Sequence, residues 1–263
     1  MRRGRVELAL GMVLTLILLA ISLAPGLFAG PPDAVEVTRR LEAPSAQFWF
    51  GTDETGRDVY ARVVHGAGTT LGIVGAAIAL AGLMGGGLGA LAGFLGRLPD
   101  LTLSRGADAL LAFPPIILGV VLASTLGAGA GNLILALAVI YAPVFFRVAR
   151  AAALVESGRA YVEAARTLGH GEWAVLTRHL ARNVAPTVLL QCVILFPLAL
   201  QIQAALGFLG LGVPPPTPDW GASLQESRNY LTVAPWLAIF PGLALLLAAI
   251  AASLLGRALQ AGE

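Results

Sequence analysis

Within Tyr161–Pro186, YVEAARTLGHGEWAVLTRHLARNVAP, the chain gathers two Glu, three Arg and two of its three His between long apolar runs. Groups of these types can do acid–base work or ionic recognition. On a helix Arg159, Glu163 and Arg166 share one face, where Arg159–Glu163 and Glu163–Arg166 pairs would contribute roughly 0.2–0.5 kcal/mol each. Tyr161, Ala164, Ala165 and Leu168 share another. Gly169 suits a helix C-cap, and Trp173–Leu180 can form a second short helix. A solvated amphipathic loop and a docking element both fit, since small alanines beside an aromatic let another protein's surface come close.

The other polar clusters also point away from catalysis. In GTDETGRD, Gly51–Asp58, Thr52 or Asp53 is expected to cap the helix that begins with VYARVVHGA. Its Asp53, Glu54 and Asp58 do not follow the alternating spacing of an EF-hand loop. His65 has no second imidazole nearby in sequence. Asp108 stands one helical turn from Arg105, and a structural Arg105–Asp108 ion pair is the expectation. Gln191, Gln201 and Gln203 fall in an apolar run, where an unsatisfied amide is costly. They are expected to face the bundle interior, bonded to neighbouring helices or lining a wet path. No HExxH, GxSxG or Ser/His/Asp constellation occurs, so an intramembrane enzyme has little to stand on. All 17 basic residues are Arg, which excludes a P-loop lysine or a Schiff-base lysine. Any ATP must be bound by another chain. The single cysteine, Cys192, is expected to be a buried structural thiol, with no disulfide and no metal.

The elements that must hold these residues are membrane helices. Only 12% of residues are charged, 57% are hydrophobic and the mean hydropathy is +0.81, far from a soluble domain. Six segments are long enough to span at about 20 residues each: roughly 8–27, 69–95, 107–127, 131–152, 186–210 and 233–256. All must be helical, because lipid offers no partner to an open sheet edge. The apolar core after MRRGR is long for a signal peptide and reads as an uncleaved first span. With the N-terminus inside, the inner segments hold twelve Arg and the outer ones five (Arg39, Arg40, Arg57, Arg62 and Arg228), which favours N-in/C-in. Tyr161–Pro186 then faces the cytoplasm, and two loops, about 28–68 and 211–232, face outward. VPPPTPDWG in the second is expected to make it a rigid extended segment or turn. Pro114, Pro115, Pro143, Pro197 and Pro241 are expected to kink their spans. Gly82–Gly86 and Gly89–Gly93 have the small-xxx-small spacing of close helix packing.

Glu163–Gly169, EAARTLG, resembles the EAA motif of bacterial ABC-type importer permeases. FGTDETGRDVYARVVHGA, DALLAFPPIILGVVLASTLG and FLGLGVPPPTPDWGASL resemble stretches of the dipeptide/oligopeptide/nickel branch, in family order, and together they cover nearly the whole chain. The resemblance implies an all-α, six-helix type I ABC importer permease in a bacterial or archaeal inner membrane. Its parts would be an N-terminus and first helix in 1–28, an outer loop at 29–68, a five-helix core at 69–257 with the EAA loop at 153–185, and a tail at 258–263. It further implies a second homologous permease, two cytoplasmic ATPases that hold the ATP and Mg, and an extracytoplasmic solute-binding protein, with no cofactor in this chain and no nucleic acid. Tyr161, Glu163, Ala164, Ala165, Leu168 and Gly169 would be the ATPase-coupling residues, with Gln191, Gln201 and Gln203 as candidates for the pathway lining.

Two departures stand out. The family usually has proline where this chain has Arg182, so the return to the membrane is expected to differ. Gln203 replaces a frequent Glu, and no role of that acid is carried over. Peptides are the expected cargo, with nickel or another small solute as the alternative. A secondary transporter or channel would need its own intramembrane charge, for which Asp108 alone is available.

Overall fold

The computed structural model describes the backbone of residues 2–260 and the side chains of residues 6–260. The side chains of Arg2, Arg3 and Arg5, and residues 261–263 of the expected tail, lie outside the described residues. Ten α-helices follow in order: α1 Arg2–Leu23, α2 Val59–Leu95, α3 Arg97–Leu111, α4 Pro115–Leu126, α5 Ala130–Ser157, α6 Ala160–Thr167, α7 Glu172–Ala174, α8 Ala181–Leu206, α9 Trp220–Ser227 and α10 Trp236–Gln260. Among the described residues five helical runs are long and apolar enough to cross a membrane, and the bent pair α3–α4, taken as one span, makes a sixth.

Local chemistry moves several expected boundaries. Pro25 ends α1 early, and Pro25–Leu27 is a single 3-10 turn. The cap of α2 is Asp58, whose carboxylate accepts from the Tyr60 amide at 2.9 Å, rather than Thr52 or Asp53. Beginning at Val59 with VYARVVHGA and continuing without a break through the span expected at 69–95, α2 runs 37 residues. That is about 55 Å, so it projects well beyond a hydrocarbon core of about 30 Å. The expected third span is broken: Pro114 has no N–H to continue the helix, and α3 and α4 meet at 92°. Being 12 residues long, α4 covers only about 18 Å of the bilayer. The expected separate helix at Trp173–Leu180 is instead continuous with the fifth span through α7, a π-helical turn Val175–Leu180, and α8. Arg182 therefore lies inside an unbroken helix, where a proline would have removed a backbone donor. In the second outer loop the proline stretch 213–219 is non-helical with a turn at 215–216, and the unexpected element is α9, capped by Asp219.

The centre of the bundle is the parallel pair α2 and α5. A Cβ at Gly85 or Gly89 would overlap the carbonyl oxygens of Ala142 or Phe146, and one at Gly93 would lie 2.6 Å from that of Arg150. Glycine at every fourth position thus lets the α5 backbone sit directly on α2. Of the two expected pairs, Gly89–Gly93 lies in this seam, whereas Gly82 lies between Cys192 of α8 and Phe145, and Gly86 faces Val188 of α8. Phe145, Leu137, Val74, Ala77, Leu200 and Trp220 fill the core around it. Against this core α1 packs on α10. Cys192 is half-buried, at the wall of an apolar cavity of about 380 Å3 between α1, α2, α8 and α10.

Outside the membrane the two loops lock together. The Asp53 carboxylate accepts from Arg57 Nε at 2.5 Å and from the amides of Thr55 and Arg57 at 2.8 and 3.0 Å. Burial pushes this carboxyl up, but these donors outweigh burial and hold it below the usual carboxylate range. Arg62, with a side chain 4% exposed, reaches Glu226 of α9 at 3.3 Å, and Trp236 Nε1 donates to the Thr52 carbonyl at 3.2 Å.

Candidate functional site

The cytoplasmic loop begins where α5 ends at Ser157. Arg159 adopts an extended conformation and α6 starts at Ala160. Its inward stripe is Val162 and Ala165, 0% and 5% exposed, packed on Ala149 and Ala153 of α5, Phe94 of α2, and Val175, Leu176 and Leu180 of the π turn. Here the hydrophobic effect holds an eight-residue helix that would not form alone in water.

Tyr161 fastens one end. Its hydroxyl donates to Glu156 at the end of α5 at 2.8 Å and accepts from Asn183 Nδ2 of α8 at 2.8 Å. Burial, and after it the Glu156 carboxylate, push the phenol up against the opposing Asn183 contact, so it remains a donor. The other end closes on Gly169, whose φ is +83°. The Gly169 amide donates to the Arg166 carbonyl at 2.9 Å and that of His170 to the Ala165 carbonyl at 3.1 Å. This paired 5→2 and 6→1 closure needs a left-handed residue, which glycine supplies.

Across the turn Arg166 forms a bidentate pair with Glu172 at 3.0 Å, and Arg159 lies 3.6 Å from Glu156. The expected pairs of Glu163 with Arg159 and Arg166 are thus replaced. Glu163 points outward with Ala164, Thr167 and Leu168, the last 79% exposed. Ala164, Leu168 and Glu163 present a mixed small, apolar and acidic surface to the cytoplasm. Ala165 is turned into the chain's own core and cannot be touched by a partner, because the apolar stripe that anchors α6 centres on Val162. That valine is the residue which the sequence reading passed over; its signal was the i, i+3 spacing to Ala165.

The remaining candidates separate. Asp108 pairs with Arg147 of α5 at 2.8 Å, not with Arg105, because the 92° bend lays α3 across the end of α5. Both partners are about half exposed, so the pair contributes little. Asp100 likewise bonds Arg150 Nη2 at 2.6 Å. Gln203 is 0% exposed and lines no path: its Nε2 donates to Asp219 Oδ2 at 2.8 Å. The same oxygen accepts from Thr70 Oγ1 at 2.8 Å, and Asp219 Oδ1 accepts from the Ala222 amide at 2.9 Å. A buried carboxylate thereby joins α2, α8 and α9. Gln201 is exposed on the outside of the chain rather than facing the bundle interior, and Gln191 is half-buried.

Residues 85–262 match the family described as "Binding-protein-dependent transport system inner membrane component". The chain is 38% identical over 251 residues to the probable D,D-dipeptide transport system permease protein DdpC of Escherichia coli K12, covering 95% of this chain and 84% of that one. It is 34% identical to the dipeptide transport system permease protein DppC of Alkalihalophilus pseudofirmus, covering 95% of this chain and 82% of that one. To the glutathione transport system permease protein GsiD of Pectobacterium atrosepticum it is 35% identical, covering 98% and 86%.

Proposed function

The chain belongs to the family of binding-protein-dependent transport system inner-membrane components, the multi-pass permeases of ABC importers, and from that premise we propose that it carries peptides and is driven through α6 by a separate cytoplasmic ATPase. The peptide reading is supported by the relatives, whose names give D,D-dipeptides, dipeptides and glutathione as cargo. Two copies of the ATPase would hold the ATP and Mg. A second, similar permease would complete the pathway between the two chains, and an extracytoplasmic solute-binding protein would deliver the peptide.

The observation that carries the ATPase assignment is the division of α6 into two sides. Val162, Ala165 and Tyr161 bind it to α5, to the π turn and to α8, while Glu163, Ala164 and Leu168 stay uncovered. A push on the uncovered side therefore reaches the membrane as a rigid-body displacement, with no loop to absorb it. The unbroken run from Glu172 to Leu206 carries that displacement into the fifth span. ATP-driven closure of the ATPase pair would switch an inward-open cavity to an outward-facing one, and hydrolysis would reset it. Each bound species shifts this equilibrium only by its differential affinity for the two states. Gln201, exposed on the chain's outer surface, is the residue we assign to the pathway or to the contact with the second permease, and Gln203, bonded to Asp219, is not.

Glu163→Arg together with Gly169→Asp is expected to abolish transport and ATPase recruitment while leaving membrane insertion intact. Uptake of a labelled dipeptide at the unsubstituted rate by the double variant would sink the coupling assignment. Uptake driven by an ion gradient in vesicles without an ATPase would sink the ABC mechanism itself.

A further inference from the structure

The first helix, α1, is fastened at two levels and bridges a gap between them. Near its outer end a Cβ at Gly68 of α2 would lie 3.0 Å from the Ser22 carbonyl oxygen, and lower down one at Gly11 would lie 3.0 Å from the Leu255 amide nitrogen of α10. Between these contacts Thr15 and Leu19 roof the apolar crevice of about 380 Å3, with Cys192 and Phe196 of α8 as its floor and Gly75 of α2 and Ala252 of α10 at its sides. The space is partly the room of a missing side chain, since a Cβ built at Gly75 meets nothing within 4 Å. Ala79, which also lines it, is exposed, so the crevice opens sideways between α1 and α2. Its depth is set by α1: Thr15 stands at the middle of the apolar window Val6–Leu23. The crevice therefore lies in hydrocarbon and reaches the middle of the bilayer.

Size and chemistry select what can fill it. Along α2 it runs from Leu71 to Ala79, about 12 Å at 1.5 Å per residue, which makes it about 6 Å across. A helix with its side chains is about 10–12 Å across and does not fit. Water is poorly served, because the Thr15 hydroxyl and the Cys192 thiol are the only polar side-chain groups on the walls, and a buried water makes about three hydrogen bonds. Left empty, the walls would forfeit their dispersion contacts. We propose that the crevice takes the methyl-terminal part of one phospholipid acyl chain, which enters between α1 and α2 and lies beneath α1 against Cys192 and Phe196. A single hydrocarbon chain is apolar, narrow enough and present at this depth, and it is the methyl end of such a chain that reaches the middle of the bilayer. The headgroup stays outside, and recognition is by shape and apolarity.

The test uses the assembled transporter in phosphatidylcholine nanodiscs doped with a phosphatidylcholine that carries a photoactivatable diazirine either near the methyl end of one acyl chain or near its carbonyl end. Adducts are mapped by peptide mass spectrometry, and Leu16 and Ile17, 65% and 51% exposed and turned away from the crevice, report the surrounding lipid. The methyl-end probe is expected to label Cys192–Phe196, and the carbonyl-end probe is not. Gly75→Leu puts a side chain into the crevice and should abolish that labelling while Leu16 and Ile17 stay labelled. Gly87→Leu, the same exchange on α2 at a position that also has open space but does not line the crevice, should leave both signals. Equal labelling of Cys192–Phe196 by the two probes, or labelling that survives in Gly75→Leu, overturns the proposal. Labelling of Ile17 with none on α8 means that the crevice is closed or filled by protein, and overturns it as well. The comparison of the two probes on the unsubstituted transporter holds whether or not either variant folds.

Discussion

Replacing Gly169 by Ala separates the turn that ends α6 from everything packed around it. A Cβ built at Gly169 meets nothing within 4 Å, so the substitution creates no clash. Its cost comes from the backbone alone: at φ +83° an alanine is strained by roughly 1–2 kcal/mol. Gly171 supplies the control, because it too has open space around it but sits at φ −64°, where alanine is at ease. The amides that report the turn are those of Gly169 and His170, bonded to the Arg166 and Ala165 carbonyls. Hydrogen exchange at these two amides is expected to speed up about 5- to 30-fold in Gly169→Ala, the equivalent of that strain if closure is lost. It should be unchanged in Gly171→Ala and intermediate in Gly169→Asn, since asparagine tolerates the left-handed region. Peptide-stimulated ATP turnover by the assembled transporter should rank the variants in the same order. If Gly169→Ala exchanges at the unsubstituted rate, or if asparagine is no better than alanine, the left-handed closure is not what fixes this helix.

Two other perturbations probe the parts that hold the site. Gly89→Ala drives a methyl into the Phe146 carbonyl and should lower stability by about 1–3 kcal/mol or prevent folding, read as a lower unfolding temperature in detergent, whereas Gly87→Ala, with open space at its Cβ, should not. Asp53→Asn leaves Arg57 and Arg62, with side chains 10% and 4% exposed, with Glu226 as the carboxylate they share and should cost roughly 1–3 kcal/mol at neutral pH. Because the folded Asp53 carboxyl lies below its ordinary value of 3.8, its contribution is complete above that value and is lost as pH falls through the lowered one. The stability difference between the unsubstituted chain and Asp53→Asn should therefore shrink on acidification below about pH 4. A difference that stays constant down to pH 2 would refute the ion-pair account.

Much of this architecture was legible in the residues. The apolar runs marked the six crossings, the arginine asymmetry oriented them, and EAARTLG together with Gly169 located a helix and its end. Long-range partners were not legible. Asp108 has Arg105 one turn away, yet it bonds Arg147, 39 positions distant in sequence, because the bend at Pro114 swings α3 against α5. Asp53 does not cap α2 because a turn closed by the Gly56 amide on the Asp53 carbonyl keeps this stretch out of the helix, and Asp58 is the residue immediately before it. The prolines at 114 and 115 advertised a kink but could not specify 92°. Ala165 was grouped with the outward residues because a helical wheel shows which positions share a face, but not which face meets the protein. That choice was made by Val162 and by the apolar π turn beneath it.

The α2–α5 seam also sorts the molecule into stator and rotor. Two helices whose backbones interlock at Gly85, Gly89 and Gly93 cannot slide past one another gradually, since each methylene of travel would drive a carbonyl against a neighbouring Cα. The next equivalent register is four residues away, about 6 Å along the axis. For smaller strokes this pair must travel as one block. Relative movement during a transport cycle is left to the elements without such a seam, foremost α4, set off from α3 by its right-angle bend, and the long helical run that begins at Glu172.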